Sequence, residues 1–349
     1  MQMSNRLFSL DFLKGFGIIT FILWHCYAYF FKYPQGYSPV HRSTIGVTGL
    51  FIFLSGFIVG NHYYSKLAKT KNMAAIAKRL FVRAVKLIFV VVSANLLVAV
   101  LLERRFDYGV LVDTFRNLIS LVYMDRWDIS FQILIVIALG LMCTLPVILL
   151  HVRYGNRSSY LFLLLLAGLY IFDALYTGHL PYLWRYLPLS VAGSLFGLLL
   201  TGGYKRSIIF AYGLVCSVIA TSLCIASVLS SKWSDYILFE TGPYAIYVMT
   251  TFIAIGSFAY YILDVRKYMP RWLEKSVILT GQQSLFIYIL QIVIIRLSAL
   301  SLGVNTIVSD YKIVALAAAV FACCVALGNL VDWLRKYALF DRPYRFLFA

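Results

Sequence analysis

Charge is what this sequence has least of. Of its 349 residues only 13% are Asp, Glu, Lys or Arg, against 62% that are hydrophobic. A chain so composed has too little polar surface to enclose its apolar residues in water, which excludes an ordinary soluble globular protein and makes lipid part of its solvent. The sequence also lacks a hydrophilic stretch long enough for a second folded domain, any internal repeat and any low-complexity tract. It reads as a single integral membrane domain over 1–349, and the missing repeat disfavours a transporter assembled from duplicated halves. There is no C-x-x-C. The six cysteines, Cys26, Cys143, Cys216, Cys224, Cys323 and Cys324, sit inside apolar runs with no metal-type grouping with histidine. They read as small packing residues, and no metal is expected.

What the sequence has in abundance is apolar runs of roughly 17 to 25 residues, the length that crosses about 30 Å of hydrocarbon as a helix. Ten are expected, near 7–30, 44–64, 80–102, 129–151, 159–177, 186–201, 207–229, 243–263, 277–300 and 312–334, the sixth being short. The fold class is therefore all-α, a polytopic transmembrane bundle. The net charge of +17 would suggest nucleic acid in a soluble protein, but its distribution reports orientation. Placing alternate loops on alternate sides gathers 20 of the Lys and Arg residues on one side, among them Arg6, the seven from Lys66 to Lys86, and the four in 335–345. Only 9 fall on the other, from Lys32 to Lys312. The positive-inside rule then puts both termini in the cytoplasm.

The first apolar stretch is too long for a signal-peptide core and carries Asp11 and Lys14, so it is expected to remain as the first helix. The largest polar break, 103–128, contains the amphipathic segment 110–124, where Val110, Leu111, Phe115, Leu118 and Ile119 suit either an interfacial helix or an ordinary loop. Aromatic residues on the outer side, including Tyr27, Tyr29, Tyr33 and Trp127, fit the usual interfacial belt better than a sugar platform.

Ionisable residues within a span are costly and are functional candidates by default. In the first helix, Asp11, Lys14 and His25 stand out. Eleven helical residues turn through about 1100°, close to three full turns, so Lys14 and His25 share a face, roughly 16 Å apart along the axis. The bland reading has Asp11 and Lys14 as interfacial charges, Asp11 favoured by the helix dipole, and His25 as a packing residue. A second cluster is Gly46-Val47-Thr48-Gly49 through Phe53-Leu54-Ser55-Gly56-Phe57, whose glycines and Ser55 allow close helix approach. A third is Arg83-Ala84-Val85-Lys86, one turn apart as the third helix enters from the cytoplasm, where a phosphate-bearing ligand would suit it. His41, His62, His151 and His179 lie in loops or at helix ends and carry no assigned role. Arg296 either snorkels outward or faces the bundle interior.

These motifs together resemble the acyltransferase 3 group of integral membrane acyltransferases, over most of the chain. Its first-helix pattern of Asp, Arg and, eleven residues on, His looks like Asp11, Lys14 and His25, with lysine for arginine. Its second-helix phenylalanine-rich stretch ending Ser-Gly-Phe is similar to Phe51–Phe57. Its Arg-x-x-Arg resembles Arg83 and Lys86, with lysine again for arginine. A late segment, Gly281-Gln282-Gln283-Ser284 through Tyr288-Ile289-Leu290-Gln291, looks like the family's Ser–Tyr–His segment, except that Gln291 stands where His is common. The sibling heparan-α-glucosaminide N-acetyltransferase type has a similar first helix, and Tyr186-Leu187-Pro188 with Gly193 and Gly197 is reminiscent of it.

The resemblance implies an acyl-CoA-dependent acyltransferase of a bacterial cytoplasmic membrane, with acetyl-CoA as donor and a hydroxyl of a surface or lipid-linked glycan as acceptor. In that reading His25 is the general base, Asp11 fixes Lys14, and Lys14, Arg83, Lys86 and Ser55 contact the donor. An imidazole near pKa 6.5 is suited to take a sugar hydroxyl's proton. N-acetylation of a glucosamine-type amine, and transport of a lipid-linked glycan, are the alternatives that thioester turnover would separate.

Overall fold

In hydrocarbon a backbone must satisfy its own hydrogen bonds, and the apolar runs do so as helices: among the described residues the chain is 91% helical, with no strand. The structure is a computed structural model that describes residues 7–32, 47–101, 112, 131, 133–155, 157–158, 161–162, 164–165, 168, 182–201, 206–229, 242–268, 270–307 and 309–348. In chain order the helices are α1 (Phe8–Phe30), α2 (Val47–Ile58), α3 (Tyr64–Thr70), α4 (Met73–Leu101), α5 (Ile133–Tyr154), α6 (Tyr182–Thr201), α7 (Arg206–Leu229), α8 (Gly242–Ala259), α9 (Arg271–Leu273), α10 (Leu279–Gln282), α11 (Ser284–Leu302), α12 (Asp310–Leu334) and α13 (Ala338–Phe348). Wider π-helical turns occupy Val59–Tyr63, Tyr260–Val265 and Glu274–Ile278.

Among the described residues α1, α4, α5, α11 and α12 are each long and apolar enough to cross a membrane, and α6, α7 and α8 carry shorter apolar stretches. Large apolar side chains on these helices point away from the protein, Leu300 at 68% and Val218 at 65% exposure being examples. In water such surface would be a heavy penalty; against acyl chains it is neutral. The chain is a multi-pass helical membrane protein.

Nine of the ten expected spans coincide with described helices, while 159–177 and the segment 110–124 lie largely outside the described residues. Two boundaries differ from expectation for identifiable reasons. The third span starts at Met73 rather than near 80, because the Asn72 side-chain oxygen accepts the Ala75 backbone N–H at 3.0 Å and caps the helix there. Lys78 and Arg79 are thereby helical. The ninth is broken at Gln283, whose φ of −105° and ψ of 23° separate α10 from α11. The C-terminal α13 was not foreseen.

The chain divides into two compact units, one of Met1–Val47, Leu101–Arg104 and Ala259–Ala349, the other of Thr48–Val100 and Arg105–Phe258. In the second unit α2 and α6 meet backbone to backbone. A side chain at Gly56 would overlap the Ser190 carbonyl, and one at Gly193 the Phe53 carbonyl. This is the close approach that small residues permit between membrane helices. In the first unit α1 is the central element, packed against α10, α11 and α12.

Candidate functional site

The first unit holds α1 at both ends. At its start, Leu7 provides no side-chain cap, and the Phe8 and Ser9 N–H groups donate instead to the two Asp264 carboxylate oxygens at 2.8 and 3.0 Å. A carboxylate there satisfies two orphan donors and complements the positive end of the helix dipole. At the other end, the Asn305 and Ile307 N–H groups donate to the Tyr29 and Phe30 carbonyls, and Lys32 N–H returns a bond to Ile307. The Tyr27 hydroxyl donates to Asp310 at 2.6 Å.

Between these anchors the helix runs unbroken, so Asp11, Lys14 and His25 keep the helical register expected of them. Asp11 is buried, and its carboxylate lies 3.8 Å from the Lys14 ammonium, which is itself partly exposed. That distance is an ion pair across one turn. The Asp11 carbonyl faces Gly281, and the Val277 carbonyl faces Gly15; neither glycine has room for a Cβ. The late segment therefore presses directly on the turn that carries Asp11 and Lys14.

His25 sits in an aromatic setting. Phe21 stacks on its ring with centroids 5.6 Å apart, Trp24 meets it edge-on at 4.9 Å, and Tyr288 of α11 packs on Phe21 at 5.3 Å. The Gln291 side-chain amide reaches the His25 Nδ1 at 3.2 Å. One turn toward the end of α11, the Arg296 Nε donates to the Tyr29 hydroxyl at 3.0 Å. Arg296 is thus turned toward α1.

In the second unit, Arg83 is exposed on α4 and Lys86 is half-buried one turn on. Ser55 is buried, and its hydroxyl donates to the Ile52 carbonyl of its own helix at 2.7 Å. It lines the close contact of α2 with its neighbours, since a Cβ at Gly140 would meet the Ser190 hydroxyl at 2.8 Å and the Ser55 hydroxyl at 3.9 Å. The structure thus brings together Asp11, Lys14 and their late-segment neighbours, and separately His25, Gln291 and the aromatic residues around them. Among the described residues, no group of three or more His, Cys, Asp or Glu side chains converges as a metal site requires.

Three contributors escaped sequence reasoning. Asp264 lies about 255 residues from the helix it caps, and nothing local marks it. Asp310 is similarly remote from Tyr27. Gln291 reads in the sequence as a departure from pattern, whereas its place beside His25 depends on how α1 and α11 pack. Comparison with known proteins adds no constraint: no protein-family model matches the sequence, and no curated protein matches it either.

Proposed function

We propose that this protein is a membrane acyltransferase that moves an acetyl group from cytoplasmic acetyl-CoA to a hydroxyl of a glycan at the outer side. The observation that carries the reading is the setting of His25: a half-buried imidazole on an anchored helix, stacked on Phe21 and edge-on to Trp24, with one ring nitrogen held by Gln291. Such a histidine is suited to proton transfer. The same reading has ten membrane crossings with both termini in the cytoplasm, in a bacterial inner membrane, which places Lys14 in the cytoplasmic third of the bilayer and His25 in the outer third.

The reaction needs no redox partner. The acceptor hydroxyl oxygen attacks the thioester carbonyl carbon while His25 takes the hydroxyl proton. The C–S bond then breaks, and the imidazolium returns that proton to the departing thiolate. Products are an acetyl ester and free thiol. A general base of this kind contributes on the order of 10²- to 10⁴-fold in rate. Lys14, held by Asp11, gives the α1 face a positive charge for the donor. Arg83 and Lys86, one turn apart on α4, are by themselves a basic pair suited to phosphate groups. Ser55, with its hydroxyl already bonded to its own helix, serves the reading better through the packing of α2 than through donor contact.

Thiol release from acetyl-CoA by purified protein in detergent, with crude surface glycan present, tests the proposal. Wild-type release that requires glycan and disappears in His25→Ala supports it. A demonstrably folded wild-type protein that releases no thiol overturns it and favours transport of a lipid-linked glycan.

A further inference from the structure

The Gln291 side chain is fully buried in α11, and its Oε1 has no hydrogen-bond partner among the described residues. Its amide nitrogen is the atom facing His25 Nδ1 at 3.2 Å. Buried amide oxygens are seldom left unpaired, because the lost hydration costs about 1–3 kcal/mol. The two ends of a glutamine amide have nearly the same shape, so turning the group over exchanges them without moving the helix. The two settings have opposite consequences for His25. With the amide N–H₂ toward the ring, Nδ1 must accept, the neutral imidazole carries its proton on Nε2, and Nε2 has no lone pair to offer an acceptor hydroxyl. With Oε1 toward the ring, Nδ1 carries the proton and donates it to Oε1, which leaves Nε2 free as a base. The second setting pairs the oxygen with the ring and turns the amide N–H₂ away from it.

We propose that Gln291 is a positioning residue that holds His25 in the Nδ1-protonated tautomer, its Oε1 accepting from Nδ1–H, so that Nε2 is the atom that takes the acceptor's proton. The inference rests on the acyl-transfer reading for its consequence, but the tautomer itself is a property of the resting protein. The ring is further confined by Phe21 on one face and the edge-on Trp24, so it has little freedom to rotate away from this partner.

Two measurements test this on the full-length protein. Gln291→Leu removes both amide atoms at similar volume, an exchange a buried and half-paired amide tolerates. Gln291→Glu keeps an acceptor oxygen at the same reach. Nitrogen-15 spectra of histidine-labelled protein, with the His25 signals identified by their loss in His25→Ala, are expected to show Nδ1–H in wild type and a change of tautomer in Gln291→Leu. In the transfer assay Gln291→Leu is expected to lower kcat on the order of ten- to hundredfold, the scale seen when the orienting partner of a functional histidine is removed. KM for acetyl-CoA is expected to stay near the wild-type value, and Gln291→Glu to restore most of kcat. An Nε2–H tautomer in wild type, or the same tautomer and kcat in Gln291→Leu as in wild type, overturns the proposal. If His25→Ala abolishes transfer while Gln291→Leu changes nothing, only the positioning role falls. If His25→Ala itself transfers normally, the functional reading falls with it.

Discussion

Replacing Gly281 by alanine adds one carbon where two backbones already touch. The new Cβ would overlap the Asp11 carbonyl oxygen, lie 2.6 Å from its carbonyl carbon, and approach the Gly15 nitrogen at 3.0 Å. Carbon atoms rest at about 3.5–4.0 Å, so α10 and α1 must part by roughly 1 Å. No rotamer change can absorb this, because the opposing atoms are main chain. Overpacking of this kind costs about 1–3 kcal/mol, and rigid backbone on both sides puts the expectation at the upper end. The helix propensity that alanine gains over glycine returns only about 1 kcal/mol. The assay is the thermal unfolding midpoint of purified protein in one detergent, compared with Gly168→Ala, where a Cβ meets nothing within 4 Å. Gly281→Ala should unfold well below wild type, and acetyl transfer should fall too, since the turn that moves carries Asp11 and Lys14. A Gly281→Ala protein as stable as wild type and Gly168→Ala would refute the packing of α1 against the late segment.

Other outcomes follow from the same contacts. Asp264→Ala removes the carboxylate that accepts the Phe8 and Ser9 N–H groups, and should cost about 1–2 kcal/mol of stability, read as a lower midpoint with helix content retained. Lys14→Ala should abolish transfer while membrane insertion is unchanged, and Lys14→Arg should preserve it, because the ion pair with Asp11 needs only a cation at that reach. At the C-terminus, partial burial pushes the Asp341 carboxyl up, but the hydrogen bonds and charges of Arg345 and Arg335 outweigh it and hold the group below its ordinary range. A lowered folded pKa means the contribution is present above the unfolded value of about 3.9 and is lost as pH falls through the folded value. Docking of α13, followed by proteolysis near Tyr337, should therefore weaken only in acid, and Asp341→Asn should reproduce the acid behaviour at neutral pH.

The helices were legible because lipid leaves a 20-residue apolar run only one structure, and the close approach at Gly56 was legible because glycine in a membrane helix has few other uses. The candidate site was legible on α1 alone. Its three polar residues share one helix, and helical geometry fixes their register without tertiary knowledge. What completes the setting comes from 250 to 290 residues away: Asp264 at one end of α1, Asp310 at the other, and Gln291 at His25. Pairings of that range leave no periodic trace, since each depends on which helices pack. The break at Gln283 was hidden because apolar character continues through it, hydropathy being blind to a single residue's φ and ψ. The α13 helix was hidden for the opposite reason, since its basic residues were counted for topology and the pairing of Asp341 with Arg345 inside it and Arg335 before it was not.

The central claim is that His25 mediates acyl transfer. The most direct measurement loads proteoliposomes with acetyl-CoA labelled in the acetyl group and follows label appearing as alkali-labile ester on glycan outside, for wild type and His25→Ala. The account predicts transfer by wild type and none by a folded His25→Ala protein. Equal labelling by both would contradict it.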